Sequence, residues 1–266
     1  MFQNKVIWIT GASSGHGEAL AREFSKKGAK LIISARRKDK LDKLASELGN
    51  ASVLPLDLED FGSFEEKVKQ AIALYGEIDI VIHNGAIAQR ASVLECNLTL
   101  ERKVMNINYF SHTEISRLLL PYMLEQNKGH IVVISGILAH VAGPGRAAYA
   151  AAKAALIAYF DSLRAELIGQ NIDISVIIPG LMQTGIVSKA IQKNGQPQQT
   201  EDILSSVGIA VQDAAKQTIE VIENKRTRAY IGLKDEPYQM WSLCRTDPEQ
   251  GIEKFLTLLA SKKITF

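Results

Sequence analysis

The chain has 266 residues, 46% hydrophobic and 23% charged, enough to bury a substantial core and within the reach of one α/β domain. A formal net charge of +2 excludes binding driven by broad phosphate neutralisation, so no nucleic-acid partner is expected. Cys96 and Cys244 lie far apart with no CxxC spacing, which points to neither a disulfide framework nor a metal site.

No uncharged apolar run reaches the roughly 18–20 residues that span a bilayer. Met1-Phe2-Gln3-Asn4-Lys5 leads straight into an apolar strand rather than a signal peptide. The expectation is a cytoplasmic globule with free thiols. Val6-Ile7-Trp8-Ile9 reads as a buried strand, followed by a glycine-rich turn and an amphipathic helix from Glu18 to Lys27. Leu31-Ile32-Ile33 is the next strand, then a charged helix from Asp39 to Leu48, a strand at Val53-Leu54-Pro55-Leu56 and a helix from Phe64 to Tyr75. Ile78–Ile82 is a fourth strand, and one long helical region covers about Leu98 to Glu125. Ile131–Ile134, a helix from Ala147 to Ile168 and the strand Ile174–Ile178 continue the alternation. Strands apolar throughout and separated by helices indicate a parallel sheet covered on both faces. Right-handed crossovers then give a doubly wound, three-layer α/β/α Rossmann fold whose ligand sits at the carboxyl ends of the strands.

The last third is less regular. Asn194–Gln199 is polar and reads as a flexible segment, followed by a helix from Asp213 to Glu223, a strand at Ala229–Ile231 and a last helix after Pro237 ending near Ala260. No stretch here is long enough for a core of its own. The chain is read as one domain over 1–266, with a substrate lid at about 185–211 and a C-terminal extension at about 237–266.

The turn Thr10-Gly11-Ala12-Ser13-Ser14-Gly15-His16-Gly17 follows a strand and opens a helix. Gly11 permits the tight turn, and Gly15 and Gly17 let the backbone approach a pyrophosphate held at the helix N-terminus. At the end of the second strand a carboxylate selects NAD, and an arginine accommodates the 2′-phosphate of NADP. Here the chain reads Ser34-Ala35-Arg36-Arg37-Lys38, with no acid until Asp39. A guanidinium grips a phosphate with two hydrogen bonds, and Arg37 and Lys38 add positive field, so the cofactor expected is NADP(H).

Together with motifs further along the chain, these residues closely resemble the short-chain dehydrogenase/reductase family. The matching marks are the glycine-rich turn, Asp57 after the third strand, His83-Asn84-Gly85-Ala86 after the fourth, Asn108, Tyr149-(Ala150-Ala151-Ala152)-Lys153 and Pro179-Gly180-(Leu181-Met182-Gln183)-Thr184. They run in order from about Lys5 to Thr184 at family-like spacing. The tone of the middle segment is similar to NADP-dependent reductases and steroid- or retinol-type dehydrogenases.

The resemblance implies a carbonyl–alcohol oxidoreductase with Tyr149 as acid–base. Lys153, four residues on and so on the same helical face, lowers the phenol's pKa and holds the nicotinamide ribose. Asn108 corresponds to the asparagine that supports a water relay to the lysine. Asp57 and Leu58 lie at the adenine, Ser13, Ser14 and His16 at the pyrophosphate, and Asn84, Gly85 and Ala86 at the ribose. Pro179, Gly180, Met182 and Thr184 flank the nicotinamide.

Three departures stand out. The family's serine belongs thirteen positions before the tyrosine, where this chain has Gly136. Ser135 is adjacent, but neighbouring residues of a strand point to opposite faces, so it substitutes only if the strand end bulges. Losing such a donor costs on the order of 10²–10³ in rate. His16 replaces an apolar residue and either caps the pyrophosphate or packs. His83-Asn84-Gly85-Ala86 inverts the usual Asn-Asn-Ala-Gly ending and is expected to perturb local backbone.

On the substrate side, Ile186, Val187, Ile191, Ile203 and Leu204, with Leu138 and Val141 of the 137–146 loop and His140 as a rim residue, suggest a largely apolar carbonyl or secondary alcohol. The alanine-rich helix from Ala147 allows close approach to a partner chain, and a homodimer or homotetramer is expected. The competing reading is a non-catalytic NADP-binding protein acting as sensor or scaffold, motivated by Gly136. A nucleotide-sugar epimerase is more distant, because its glycine spacing differs.

Overall fold

The computed structural model describes residues 1–197, 208–232, 242–244 and 246–260. Seven strands form one parallel sheet: β1 (Val6–Thr10), β2 (Lys30–Ser34), β3 (Ala51–Val53), β4 (Ile80–His83), β6 (Gly129–Ile134), β7 (Ile172–Pro179) and β9 (Arg228–Ile231). Their order is β3-β2-β1-β4-β6-β7-β9, the doubly wound arrangement expected from the sequence. The order reverses between β1 and β4, which opens a crevice at the carboxyl ends of those strands.

Every residue of β1 is buried, because the sheet is covered on both faces. Ile7 and Ile9 point into one apolar layer with Leu20, Phe24 and Leu41. That layer is closed by α1 (Gly15–Lys26), α2 (Lys38–Leu48) and α7 (Val211–Glu223). Val6 and Trp8 point into the opposite layer with Phe64, Leu119 and Phe160. There α3 (Phe64–Tyr75), α5 (Ser111–Glu125) and α6 (Ala147–Glu166) close the face. The period-2 alternation that an amphipathic strand shows in sequence is invisible here, since both faces are apolar.

The structure departs from the sequence expectation in three places. The third strand is Ala51–Val53 rather than Val53–Leu56; Pro55 has no N–H to donate, and beyond Val53 only the amides of Leu54 and Leu56 reach across, to Ile33 and Ala35. The long helical region from Leu98 divides into α4 (Leu98–Met105), a π-helical turn (Asn106–Phe110) and α5. Two short strands, β5 (Gln89–Arg90) and β8 (Ile191–Gln192), pair in parallel as a second sheet that nothing in their apolar pattern announces. The last described helix is α8 (Pro248–Ala260). Ile203 and Leu204 of the expected lid lie outside the described residues, as do parts of the C-terminal extension.

Candidate active site

The cofactor end is built on close backbone approach. Gly11 takes φ +69°, and a β-carbon there would stand 2.6 Å from the Cα of Gly85. A β-carbon on Gly17 would meet Asn84 Nδ2 and the Gly11 carbonyl, each at 2.5 Å. Thr10 ties the two segments together: its Oγ1 accepts from the amides of Asn84 and Gly85, each at 3.1 Å. Asn84 Nδ2 in turn donates to the Thr10 carbonyl at 3.1 Å. In the inverted His83-Asn84-Gly85-Ala86 sequence a β-carbon on Gly85 would lie 2.6 Å from Leu58 Cδ1, the end of a side chain. Thr184 stands over Gly15, its methyl 3.5 Å from where a β-carbon would be.

Helix α1 begins after Ser14, whose side chain makes no cap hydrogen bond, so the first-turn amides are available to an anion. Arg37 folds back over this turn and donates to Ser13 Oγ and Ser14 Oγ, each at 2.8 Å. Arg36, the residue expected at the phosphate, is exposed at the end of β2. Asp57 Oδ1 accepts from the Glu59 amide at 3.1 Å and so shapes the loop after β3.

Three expected cofactor residues have partners within the protein. His16 is buried behind the turn, with Nε2 3.1 Å from Thr218 Oγ1 of α7. Burial pushes its pKa down to about 4. The Ser34 hydroxyl accepts from Trp8 Nε1 at 2.8 Å inside the core. Met182 packs against the apolar layer beneath α1 and α7.

At the catalytic end, β6 delivers Ile134, Ser135 and Gly136 against α6. Gly136 is extended (φ 176°), and among the described residues a β-carbon there would meet only Tyr149 Oη, at 3.8 Å. The position thirteen residues before the tyrosine therefore does face its hydroxyl. The Ser135 hydroxyl is engaged with the helix backbone, donating to the Lys153 carbonyl at 2.8 Å. Lys153 Nζ donates to the Ile134 carbonyl at 2.8 Å and stands 5.7 Å from the centre of the Tyr149 ring.

Burial dominates the electrostatics of this pair. It pushes the Lys153 ammonium down to about 7 and the Tyr149 phenol up to about 12, the latter opposed by the field of Arg146. Asn108 sits in the π-helical turn, fully buried, its amide exchanging two hydrogen bonds with the backbone of Ile87 at 2.9 and 2.8 Å. Its side chain fixes the loop after β4. Irregular helical turns of this type recur at functional sites because they free backbone groups from the regular ladder.

Sequence reasoning missed several supports. His83 bonds Ser116 (2.8 Å) and meets His112 edge-on at 5.2 Å. Gln89 and Arg146 brace the start of α6. Among the described residues no cluster of three or more His, Cys, Asp or Glu could hold a metal, and no helix is long and apolar enough to cross a membrane.

The short chain dehydrogenase family profile matches residues 5–195. A dehydrogenase/reductase SDR family protein 7-like protein of Drosophila melanogaster is 37% identical over 83% of this chain and 70% of its own length. Dehydrogenase/reductase SDR family member 7B of Mus musculus is 34% identical over 84% and 72%. A solved short chain dehydrogenase/reductase from Burkholderia phymatum in complex with NAD superposes with TM-score 0.82 at 21% identity, over 94% of this chain and 95% of that one. The closed form of a serine dehydrogenase complexed with NADP+ superposes with TM-score 0.75 at 25% identity, over 87% and 99%. The profile covers well over half of the chain and these relatives exceed 30% identity, so the chain belongs to the short-chain dehydrogenase/reductase family of oxidoreductases.

Proposed function

We propose that the chain interconverts a carbonyl and a secondary alcohol with NADP(H). The observation that carries this reading is the convergence of Tyr149, Lys153 and the Gly136 backbone at the carboxyl end of β6. The crowded glycines, the uncapped first turn of α1 and the Arg37 guanidinium form a cradle that fits a dinucleotide. When bound, that cofactor supplies the hydride. Arg36 and Arg37, with no acid before Asp39, support a 2′-phosphate and hence NADP(H). Asp57 with Leu58, and Asn84 with Gly85 and Ala86, would line the adenosine and ribose; Pro179, Gly180 and Thr184 would flank the nicotinamide.

The Tyr149 phenol can donate a proton to a carbonyl oxygen under reduction, and its anion can take one from an alcohol in the reverse direction. Lys153 Nζ stands 5.7 Å from the centre of that ring, and Asn108 holds the neighbouring loop in place. With glycine at 136, this reading gives the carbonyl oxygen one side-chain donor, Tyr149. Substrates whose carbonyl is already polarised by their own substituents are therefore favoured. The segment at about 185–211 is read as the lid over a largely apolar substrate. A homodimer or homotetramer is supported by the exposed small residues Ala151, Ala158 and Ala165 along α6, and a cytoplasmic setting by the free thiols of Cys96 and Cys244.

The test is NADPH oxidation over a panel of carbonyls, run beside NADH. Tyr149→Phe should lower turnover by about 10²–10⁴, the usual contribution of general acid–base catalysis. Unchanged turnover in that variant overturns the assignment, and Arg36→Asp should weaken NADPH selectively. Gly136 also favours a second reading, an NADP-binding sensor or scaffold. Tight NADPH binding without hydride transfer, even in Gly136→Ser, would identify it.

A further inference from the structure

Helix α6 starts without a cap of its own. Arg146, the residue before it, makes no side-chain cap bond, and the first turn holds no acid. The third amide of the helix is that of Tyr149, and it donates at 3.3 Å to Gln89 Oε1, a side chain from another strand. Gln89 is fully buried, so each of its polar atoms needs a partner. Its Nε2 donates to the Ala91 carbonyl at 3.3 Å and to Cys96 Sγ at 3.2 Å. Its backbone carbonyl accepts from the buried guanidinium of Arg146.

The same two-residue strand has a second neighbour. Gln89 stands opposite Ile191 in the parallel β5–β8 pair, and the Ile191 amide donates to the Ala88 carbonyl at 2.8 Å. On the α6 side, the Ala91 amide donates to the Gly145 carbonyl at 3.1 Å. β5 is therefore bonded along one side to the start of the α6 helix and along the other to the segment that carries β8.

We propose that Gln89, braced by Arg146, is a positioning residue for Tyr149 that couples docking of the β8 segment to the placement of the phenol. The inference rests on the reading of Tyr149 as the acid–base. When β8 pairs with β5, Gln89 is held in register and its Oε1 anchors the amide of the reacting tyrosine. When β8 leaves, β5 loses one bonded edge, and the anchor of Tyr149 loosens with it. The substrate-side segment and the reacting group thus move as one unit. Arg146 adds an electrostatic share, since its field opposes the rise that burial imposes on the phenol. The other titratable groups packed with Tyr149 are Lys153 on its own helix and Cys96 and Tyr109 around the same small apolar cluster.

The experiment uses the full chain with Gln89→Met, which keeps the volume and removes the acceptor. Three quantities are read: kcat and KM with NADPH and an active carbonyl, NADPH affinity by fluorescence, and amide hydrogen exchange across 187–197 in the protein without substrate. The expected result is a kcat lower by about 10–100-fold, as small misplacements of a reacting group cause. NADPH affinity stays within about twofold, because the cofactor cradle is untouched. Exchange at 187–197 speeds up by about tenfold, the equivalent of one lost buried hydrogen bond. Unchanged exchange there overturns the coupling, and unchanged kcat overturns the positioning role. Should Gln89→Met fail to fold, Arg146→Lys is judged by the same readouts. A wild-type chain that turns over no carbonyl overturns the oxidoreductase reading instead, and exchange at 187–197 then decides the coupling by itself.

Discussion

The two ends of the site use glycine in opposite ways. At the cofactor end, Gly11, Gly17 and Gly85 are crowded, with 2.5–2.6 Å between a would-be β-carbon and its neighbours. At the catalytic end, Gly136 has ordinary extended backbone and room for a side chain that would point at Tyr149. Gly11 and Gly17 are demanded by close backbone packing, so that a loop, a strand end and a helix start can meet. Among the described residues nothing demands a glycine at 136. Position 136 can therefore take a side chain without disturbing its described neighbours, whereas Gly11 and Gly17 cannot be changed without moving the backbone.

The largest effect expected from this contrast is at Gly136→Ser. A hydroxyl restored beside Tyr149 should raise kcat by about 10²–10³, with Tm nearly unchanged. A drop in Tm of many degrees would show that the space is needed, and would erase the contrast between the two ends. Gly11→Ala should do the reverse. Left-handed backbone and the contact with Gly85 together should cost roughly 2–5 kcal/mol of stability, read by denaturant unfolding, and NADPH affinity should fall with it. A stable Gly11→Ala protein with normal NADPH affinity would break the comparison from the other side.

The third way to sharpen it is pH. His16 lies behind the cofactor end with a pKa pushed down to about 4, and His83 behind the catalytic end with one pushed down to about 3. Both folded values lie below the unfolded value, so the unfolded chain binds more protons and stability falls as pH drops below 6.5. Between pH 6.5 and 5 each buried histidine should remove about 2 kcal/mol. Denaturation midpoints across that window measure the sum. Burial lowers His112 and His130 as well, so His83→Asn should remove roughly a quarter of the slope, and an unaltered slope would show that His83 is not buried neutral.

Much of this was legible in the chain. The alternation of apolar runs and helical patterns specified the doubly wound sheet, because each strand must be covered on both faces to be that apolar. The glycine turn and the Tyr149–Lys153 spacing pointed to the site, since both are local geometries written within eight consecutive residues. Counting thirteen positions back from Tyr149 finds the residue that faces its hydroxyl, because β6, the loop after it and the first turn of α6 keep a definite length. Arg37 was legible only as added charge; that it, and not Arg36, grips Ser13 and Ser14 depends on how the loop after β2 folds back over the turn.

What the tertiary structure alone decided is everything that crosses between distant segments. The direction of the Ser135 hydroxyl follows from α6 packing on β6, and the burial of His16 from α7 closing over α1. The approach of Gly85 to Leu58 joins the loops after β4 and β3. The pairing of Gln89 with Ile191, 102 positions apart in the chain, has no local signature, since two-residue strands carry no period to read. Local residues determine which groups are present and in what order. Which groups meet is settled only when the sheet brings its carboxyl ends together.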